Sequence, residues 1–282
     1  MSALLSCFGC CGGSEETTPP STTRKDEKKT TENKEQQQKS ATSTVAQKTT
    51  ATERETNVTV SNKPKVLIIY CKSRFSYRED QQFNFFLDST YGHIKKLADH
   101  VKKGLEKSGS CDVELFQVPE TLSEDILKKM GAPPKPNDPV LTFENHDKLV
   151  NADGFIFGFP TRFGAVCAQM KAFFDSLGHL WQKGSLNGKL ASFFFSTGTQ
   201  GGGQETTAWT AISQLAHLGL LYVPCGYTFG SEMFSLEEPH GGSPYGPGTF
   251  AGADGSNQPT PYEVQYAEHL GKYFATVVQR FH

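Results

Sequence analysis

Three short segments of this chain combine hydroxyl, glycine and basic residues after runs of apolar residues. They are residues 89–94 (Ser-Thr-Tyr-Gly-His-Ile), 160–164 (Pro-Thr-Arg-Phe-Gly) and 196–205 (Ser-Thr-Gly-Thr-Gln-Gly-Gly-Gly-Gln-Glu). Hydroxyls and backbone N–H groups at a helix N-terminus bind an anion such as phosphate without a lysine. Consecutive glycines let bare backbone approach a flat ligand. Each segment alone is also typical of a helix cap or a flexible loop, but three together favour a ligand site.

Composition and charge exclude other classes of function. The 282 residues hold 28 Lys and Arg against 30 Asp and Glu, a net charge of −2, which argues against a general nucleic-acid binder. No apolar run reaches the ~18–20 residues of a membrane span. Three of the seven cysteines cluster at residues 7–11 with no second pair of ligands nearby, and the other four show no paired spacing, so we expect no metal site. The odd number of cysteines indicates a reducing compartment such as the cytoplasm.

The elements that must position these segments alternate between strand and helix. Apolar runs predict strands at residues 66–70, 113–118, 154–158, 190–195 and 220–224. Spacing of three and four between apolar residues predicts helices over residues 94–105, 168–181, 206–218 and about 266–277. This alternation indicates an α/β domain with a doubly wound, five-stranded parallel sheet and helices on both faces. Ligands of such sheets bind beyond the carboxyl ends of the strands.

The first 64 residues differ in composition from the domain predicted at residues 65–282. Residues 12–62 have almost no large apolar side chains, which predicts a disordered tail. Cys7, Cys10 and Cys11 lie among small and apolar residues near the start, a pattern that suits S-acylation. Ser2 excludes N-myristoylation. The alternatives are a peripheral membrane attachment through acylated cysteines and an unmodified, cytoplasmic terminus.

Residues 65–281 resemble the WrbA family of flavodoxin-like NAD(P)H:quinone oxidoreductases, in its plant and fungal form. The stretches that carry the resemblance are residues 89–94, 117–121, 157–164, 195–206, 241–246 and 252–259. The resemblance implies a flavodoxin-like fold, an FMN cofactor, NADH or NADPH as co-substrate and a homotetramer. It also implies a ping-pong cycle in which hydride passes through flavin N5 to reduce a quinone by two electrons.

The resemblance also implies a role for individual residues. The FMN phosphate is expected at Ser89, Thr90, Tyr91, Gly92, His93 and Ile94. The isoalloxazine ring is expected against Thr161, Arg162 and Phe163, with its other edge covered by Ser196, Thr197, Gly198, Thr199, Gln200 and Gly201. His217, Trp181 and Tyr91 are expected as the catalytic residues around the nicotinamide and quinone, in a pocket that neighbouring subunits complete, and His217 also as a cofactor contact. Leu218 and His179 depart from the family pattern of His and Gly at those positions.

A segment of about 17 residues, 71–87, interrupts the family motif between Tyr70 and the phosphate loop, where connections typically have ~2–6 residues. One interpretation is a retained intron, because codons for Cys-Lys-Ser and Leu-Asp can contain splice donor and acceptor sequences. Excision there restores the family motif Tyr-Tyr-Ser-Thr-Tyr-Gly-His. The other interpretation is a genuine insertion.

Two further functions compete with the quinone reductase. One is a membrane-peripheral scaffold or stress-response protein that keeps the fold without significant turnover. The other is a one-electron flavodoxin carrier. Trp181, His217 and the extended region 241–255 favour a quinone pocket over the carrier.

Overall fold

The described strands form a parallel sheet with two short additions. The computed structural model describes residues 62–71, 92–129 and 136–282. The strands are β1 (Lys65–Tyr70), β2 (Asp112–Gln117), β3 (Gly154–Arg162), β4 (Ala165–Val166), β5 (Leu190–Thr197), β6 (Leu221–Tyr222) and β7 (Gly248–Phe250). β4 pairs antiparallel with β3, and β7 pairs parallel with β5. The predicted doubly wound parallel sheet is therefore confirmed, and its strand order, β2-β1-β3-β5-β6, is that of flavodoxin-like folds.

The helices cover both faces of this sheet. They are α1 (His93–Ser108), α2 (Glu124–Lys129), α3 (Asp147–Val150), α4 (Ala168–Ser176), α5 (Gly178–Gln182), α6 (Gln204–His217) and α7 (Pro261–Phe281), with 3₁₀ turns at Phe143–Asn145 and Ser231–Phe234. Alternate side chains of β1 pack into two separate hydrophobic cores. Leu67 and Ile69 belong to one core, and Val66 and Ile68 belong to the other. Because both faces are covered, the strand is apolar from residue 66 onward rather than alternating between apolar and polar residues.

The fifth position of the sheet is built from two separated strands. The prediction of one strand over residues 220–224 is wrong in extent, since β6 has only two residues and pairs with Leu190 and Ala191. Pro224 has no N–H to continue the ladder. β7, which the sequence analysis missed, pairs with the other end of β5 at residues 195–197. The residues between β6 and β7 therefore leave the sheet and return beside the carboxyl end of β5.

Two helix boundaries also differ from the prediction. The helix expected over residues 168–181 is two helices separated at Leu177, and α6 begins two residues earlier than expected. The last helix begins with a capping box, in which Thr260 and Glu263 exchange hydrogen bonds, and has Pro261 at its first turn. Among the described residues, no helix is long and apolar enough to cross a membrane.

The described residues belong to one unit of the chain. Contacts divide the chain into Met1–Val58 and Thr59–His282, and only the second contains described residues. The predicted tail at residues 1–64, with Cys7, Cys10 and Cys11, therefore lies almost wholly outside the described residues, as do Ser89, Thr90 and Tyr91 and most of the segment 71–87.

Candidate functional site

The carboxyl ends of β1, β3 and β5 lie side by side and define the candidate site. The parallel register pairs Tyr70 with Gly158, and Pro160 with Ser196. The structure therefore brings together two of the predicted segments, residues 161–163 and 196–201, at one edge of the sheet.

The N-terminus of α1 offers backbone N–H groups to an anion. Its N-cap, Gly92, has φ 80, makes no side-chain capping bond, and is followed by no acidic residue in the first turn. The first N–H groups of a helix have no partner within it and carry partial positive charge. The side chains of His93 and Ile94 are buried and do not face solvent. The His93 ring bonds the carbonyl oxygen of Asn257, and burial lowers its pKa, which favours neutral imidazole.

A tight turn between β3 and β4 holds Phe163 in an uncommon conformation. Phe163 has φ 53 and Gly164 has φ 75, the pattern of a type I′ hairpin turn. Among the described residues, Phe163 is the one non-glycine residue with positive φ, and its side chain is 89% exposed. Positive φ is rare for a bulky residue and costs of order 1–3 kcal/mol. Backbone strain of this kind clusters at functional sites.

Three threonine hydroxyls fix this turn to α6. The Thr161 hydroxyl bonds that of Thr207, which donates to the carbonyl oxygen of Gly203 at 2.6 Å. The Thr210 hydroxyl donates to the carbonyl oxygen of Gly164 at 2.9 Å. Thr161 is thus an anchor as well as a predicted ring contact. Thr207 and Thr210 lay outside the predicted site, since only packing shows that α6 faces the turn.

The loop after β5 is held by a glutamine that the site prediction did not include. Gln204 Nε2 donates to the Thr197 hydroxyl at 3.1 Å and to the carbonyl oxygen of Thr249 at 3.2 Å. Its Oε1 accepts from the N–H of Gly242 at 2.7 Å. Gln204 therefore joins β5, β7 and the segment before β7. The hydroxyl of Thr197 also donates to the carbonyl oxygen of Thr199 at 3.2 Å, so it is already occupied within the protein.

Glycines keep the backbone of this loop bare. Gly201 and Gly203 have positive φ of 63 and 96, and a Cβ on Gly202 would lie 2.7 Å from the carbonyl oxygen of Thr199. Gly198 is partly buried, and Thr199 and Gln200 are exposed. The loop therefore presents peptide edges rather than large side chains toward this end of the sheet.

Ser196 supplies a polar atom that the described protein leaves unsatisfied. The residue is 1% exposed, and its hydroxyl has no hydrogen-bond partner among the described residues. Buried hydroxyls almost always have a partner. An unsatisfied hydroxyl, a bare glycine loop and a helix N-terminus whose N-cap, Gly92, makes no side-chain capping bond suit a ligand with a phosphate and a flat polar ring. The residues present therefore fit FMN.

Trp181 and His217 lie at the other end of the sheet. α6 begins beside the glycine loop and ends at His217 after 14 residues, about 20 Å away. The next turn packs on the start of β5, where Gly188 N–H donates to the carbonyl oxygen of Gly219. Trp181 is 59% exposed, and His217 is exposed as well. Within one chain the structure does not bring either residue to the candidate site.

The fold and the site together define a flavodoxin-like mononucleotide-binding domain. Residues 64–233 match the family model described as NADPH-dependent FMN reductase. Quinone-oxidoreductase QR2 of Triphysaria versicolor is 60% identical over 192 residues, which cover 68% of this chain and 92% of the relative. NAD(P)H quinone oxidoreductase PST3 of Candida albicans is 52% identical over 193 residues, 68% of this chain and 95% of the relative.

Among solved structures, a flavodoxin, WrbA-like protein from Agrobacterium tumefaciens has a TM-score of 0.49 and 18% identity, over 77% of this chain and 99% of its own. The family match and the curated relatives decide the assignment. The chain belongs to the NADPH-dependent FMN reductase family. It is an oxidoreductase that uses FMN with a reduced nicotinamide nucleotide.

Proposed function

We propose that this protein reduces quinones by two electrons with NADH or NADPH. The observation that carries the proposal is the 60% identity, over 92% of its length, to a relative described as a quinone oxidoreductase. Support comes from the site itself, which has the strained turn at Phe163, the glycine loop and a start of α1 with no side-chain cap at Gly92.

When bound, FMN would supply two-electron hydride-transfer chemistry between NAD(P)H and a quinone, the two substrates using the same place in turn. The N-terminus of α1, with Ser89 and Thr90, would hold the phosphate. The turn at residues 161–163 would orient the ring, and the backbone N–H groups of residues 196–201 would stabilise negative charge on it. Arg162 adds a fixed positive charge at the same edge, where its Nη1 donates to the carbonyl oxygen of Thr161 at 2.8 Å.

The proposal includes a homotetramer in which His217 and Trp181 act on a neighbouring subunit's site. Their exposure and their distance from the glycine loop of their own chain support this arrangement, as does the exposed Phe163. We expect quinone reduction to fall on dilution before the fold is lost. Trp181→Ala should raise the quinone KM, whereas Phe281→Ala, at an exposed aromatic on the end of α7, should not. Full turnover by a monomer would refute the shared site.

The test of the function uses the purified full chain loaded with FMN. We expect NAD(P)H to bleach the flavin spectrum and a benzoquinone to restore it, with one quinone consumed for each nucleotide oxidised. A one-electron carrier would release semiquinone, which reduces added cytochrome c. A scaffold would bind FMN without turnover. Either outcome would refute the proposed reaction.

Attachment to a membrane is a separate proposal on residues outside the described part. We propose a cytoplasmic protein held at a membrane through acylated Cys7, Cys10 and Cys11. Acyl exchange after hydroxylamine treatment should label the wild type and not a variant with all three cysteines replaced by serine. Equal labelling of the two proteins would overturn the acylation proposal.

For residues 71–87, sequencing the transcript distinguishes the intron from the insertion.

A further inference from the structure

Two buried cysteine thiols lie in contact beside the candidate site, and the proposed quinone reduction does not use them. Cys71 directly follows β1, and its N–H donates to the carbonyl oxygen of Gly158 at 2.8 Å. Cys167 is the N-cap of α4, just after β4. Their sulfur atoms lie 2.8 Å apart, although 96 residues separate them in sequence. Both residues are at most 1% exposed. A disulfide needs about 2.0 Å between sulfurs, so a shift of about 0.8 Å joins them.

The surroundings give the two thiols different chemistry. Burial raises the pKa of the Cys71 thiol, and the contact with Cys167 raises it further. Burial also opposes ionisation of Cys167, but the hydrogen bond with Cys71, the N–H of Met170 and the charge of Arg162 outweigh it and lower its pKa. A cysteine with a lowered pKa at a helix N-terminus beside a cation is the typical attacking cysteine, and a neighbour with a raised pKa is the typical resolving one.

We propose that Cys71 and Cys167 form a redox-active dithiol that hydrogen peroxide converts to an intramolecular disulfide. The Cys167 thiolate attacks one peroxide oxygen, the O–O bond breaks, and hydroxide leaves, which gives Cys167 sulfenic acid. The Cys71 sulfur then attacks the Cys167 sulfur, and its proton leaves with the hydroxyl as water. The peroxide is reduced and the two thiols are oxidised. Because both sulfurs are buried, the small oxidant is the one we expect to reach them.

The bond would tie the end of β1 to the start of α4. The first of these leads into the segment toward the phosphate loop, and the second follows the turn that holds Phe163. The disulfide would thus connect the two sides of the candidate FMN site. Cys71 is the first residue of the segment 71–87, so the pair exists only in a chain that keeps that segment.

The test uses the full chain, reduced with dithiothreitol, desalted and exposed to hydrogen peroxide. Remaining thiols are blocked with N-ethylmaleimide, and peptides are mapped without reductant by mass spectrometry. We expect a cross-link between the Cys71 and Cys167 peptides that dithiothreitol removes. Cys71→Ser should lose it and leave a dimedone-reactive sulfenic acid on Cys167. Cys167→Ser should lose it without a sulfenic acid on Cys71.

The matched control is Cys225→Ser, at a third buried thiol, whose pKa burial raises to about 12. This variant should keep the cross-link. If a serine variant fails to fold by circular dichroism, the wild-type peptide map decides alone. A map in which peroxide oxidises the tail cysteines but forms no 71–167 cross-link would overturn the proposal, and so would cross-links shared among all cysteines.

Discussion

The unsatisfied hydroxyl of Ser196 allows ligand binding to be separated from folding. Ser196→Ala removes no hydrogen bond within the described protein, because that hydroxyl has no partner there. Burying a hydroxyl without a bond costs about 1–3 kcal/mol in proteins. We therefore expect the FMN-free variant to be at least as stable as the wild type. A gain of about 1 kcal/mol corresponds to a melting temperature higher by about 2–4 °C for a domain of this size.

The effect on FMN should have the opposite sign. If the Ser196 hydroxyl bonds the cofactor, its loss removes a net contribution of about 0.5–1.5 kcal/mol. Since 1.4 kcal/mol is about tenfold in Kd, FMN should bind about 2- to 12-fold more weakly. Titration of the FMN-free protein with FMN, followed by flavin fluorescence, measures the affinity. Thermal melts followed by circular dichroism measure the stability.

Ser192 provides the matched control on the same strand. It too is fully buried, and its hydroxyl has no partner among the described residues. It lies four residues before Ser196, about 13 Å from the site edge. Ser192→Ala should therefore raise stability in the same way and leave FMN affinity unchanged. Unaltered FMN affinity in Ser196→Ala, or an equal loss in both variants, would refute the assignment of this edge as the flavin site.

Three further predictions test the turn, the pH response and the helix packing. Phe163→Gly should keep or raise thermal stability, because it relieves φ 53, while turnover with a benzoquinone falls through loss of the exposed ring. Burial, and then the charge of a neighbouring histidine, lowers the pKa of His146, whose two ring nitrogens have no partner among the described residues. The folded state therefore binds fewer protons at this residue than the unfolded state does. The contribution of neutral His146 to the free energy of unfolding is fully present above about pH 6.5 and is lost as the pH falls below that value. Urea unfolding at about pH 7.5 and pH 5.5 measures how much unfolding free energy is lost between them, and His146→Phe should lose less than the wild type. An equal loss in the two proteins would contradict this. Gly104→Ala puts a Cβ 1.9 Å from the carbonyl oxygen of Glu268 and should cost about 1–3 kcal/mol in urea unfolding, whereas Gly178→Ala, with nothing within 4 Å, should be nearly neutral.

Local pattern was sufficient for most of the fold. The run at residues 66–70 predicts a buried strand because both faces of a parallel sheet are covered, and the spacing from Ile94 to Leu105 predicts α1 because one helix face is apolar. The glycine and hydroxyl segments likewise predicted a ligand site, and two of them lie together at one edge of the sheet. These features depend on a residue and its near neighbours in the chain, so the sequence carries them directly.

Other features depend on partners distant in sequence. β7 is only Gly-Thr-Phe, and it is a strand because β5 leaves three residues for it to pair with. Ser196 and Thr197 are adjacent in sequence. Gln204 donates a hydrogen bond to the Thr197 hydroxyl, whereas the Ser196 hydroxyl has no partner among the described residues. His217 belongs to the other end of its chain's sheet because α6 is 14 residues long. The amino-acid sequence by itself determined most of the strands and helices and predicted the segments that surround a ligand site. Tertiary structure decided which polar atoms remain available to it, since hydrogen bonds are satisfied by proximity in space rather than in sequence.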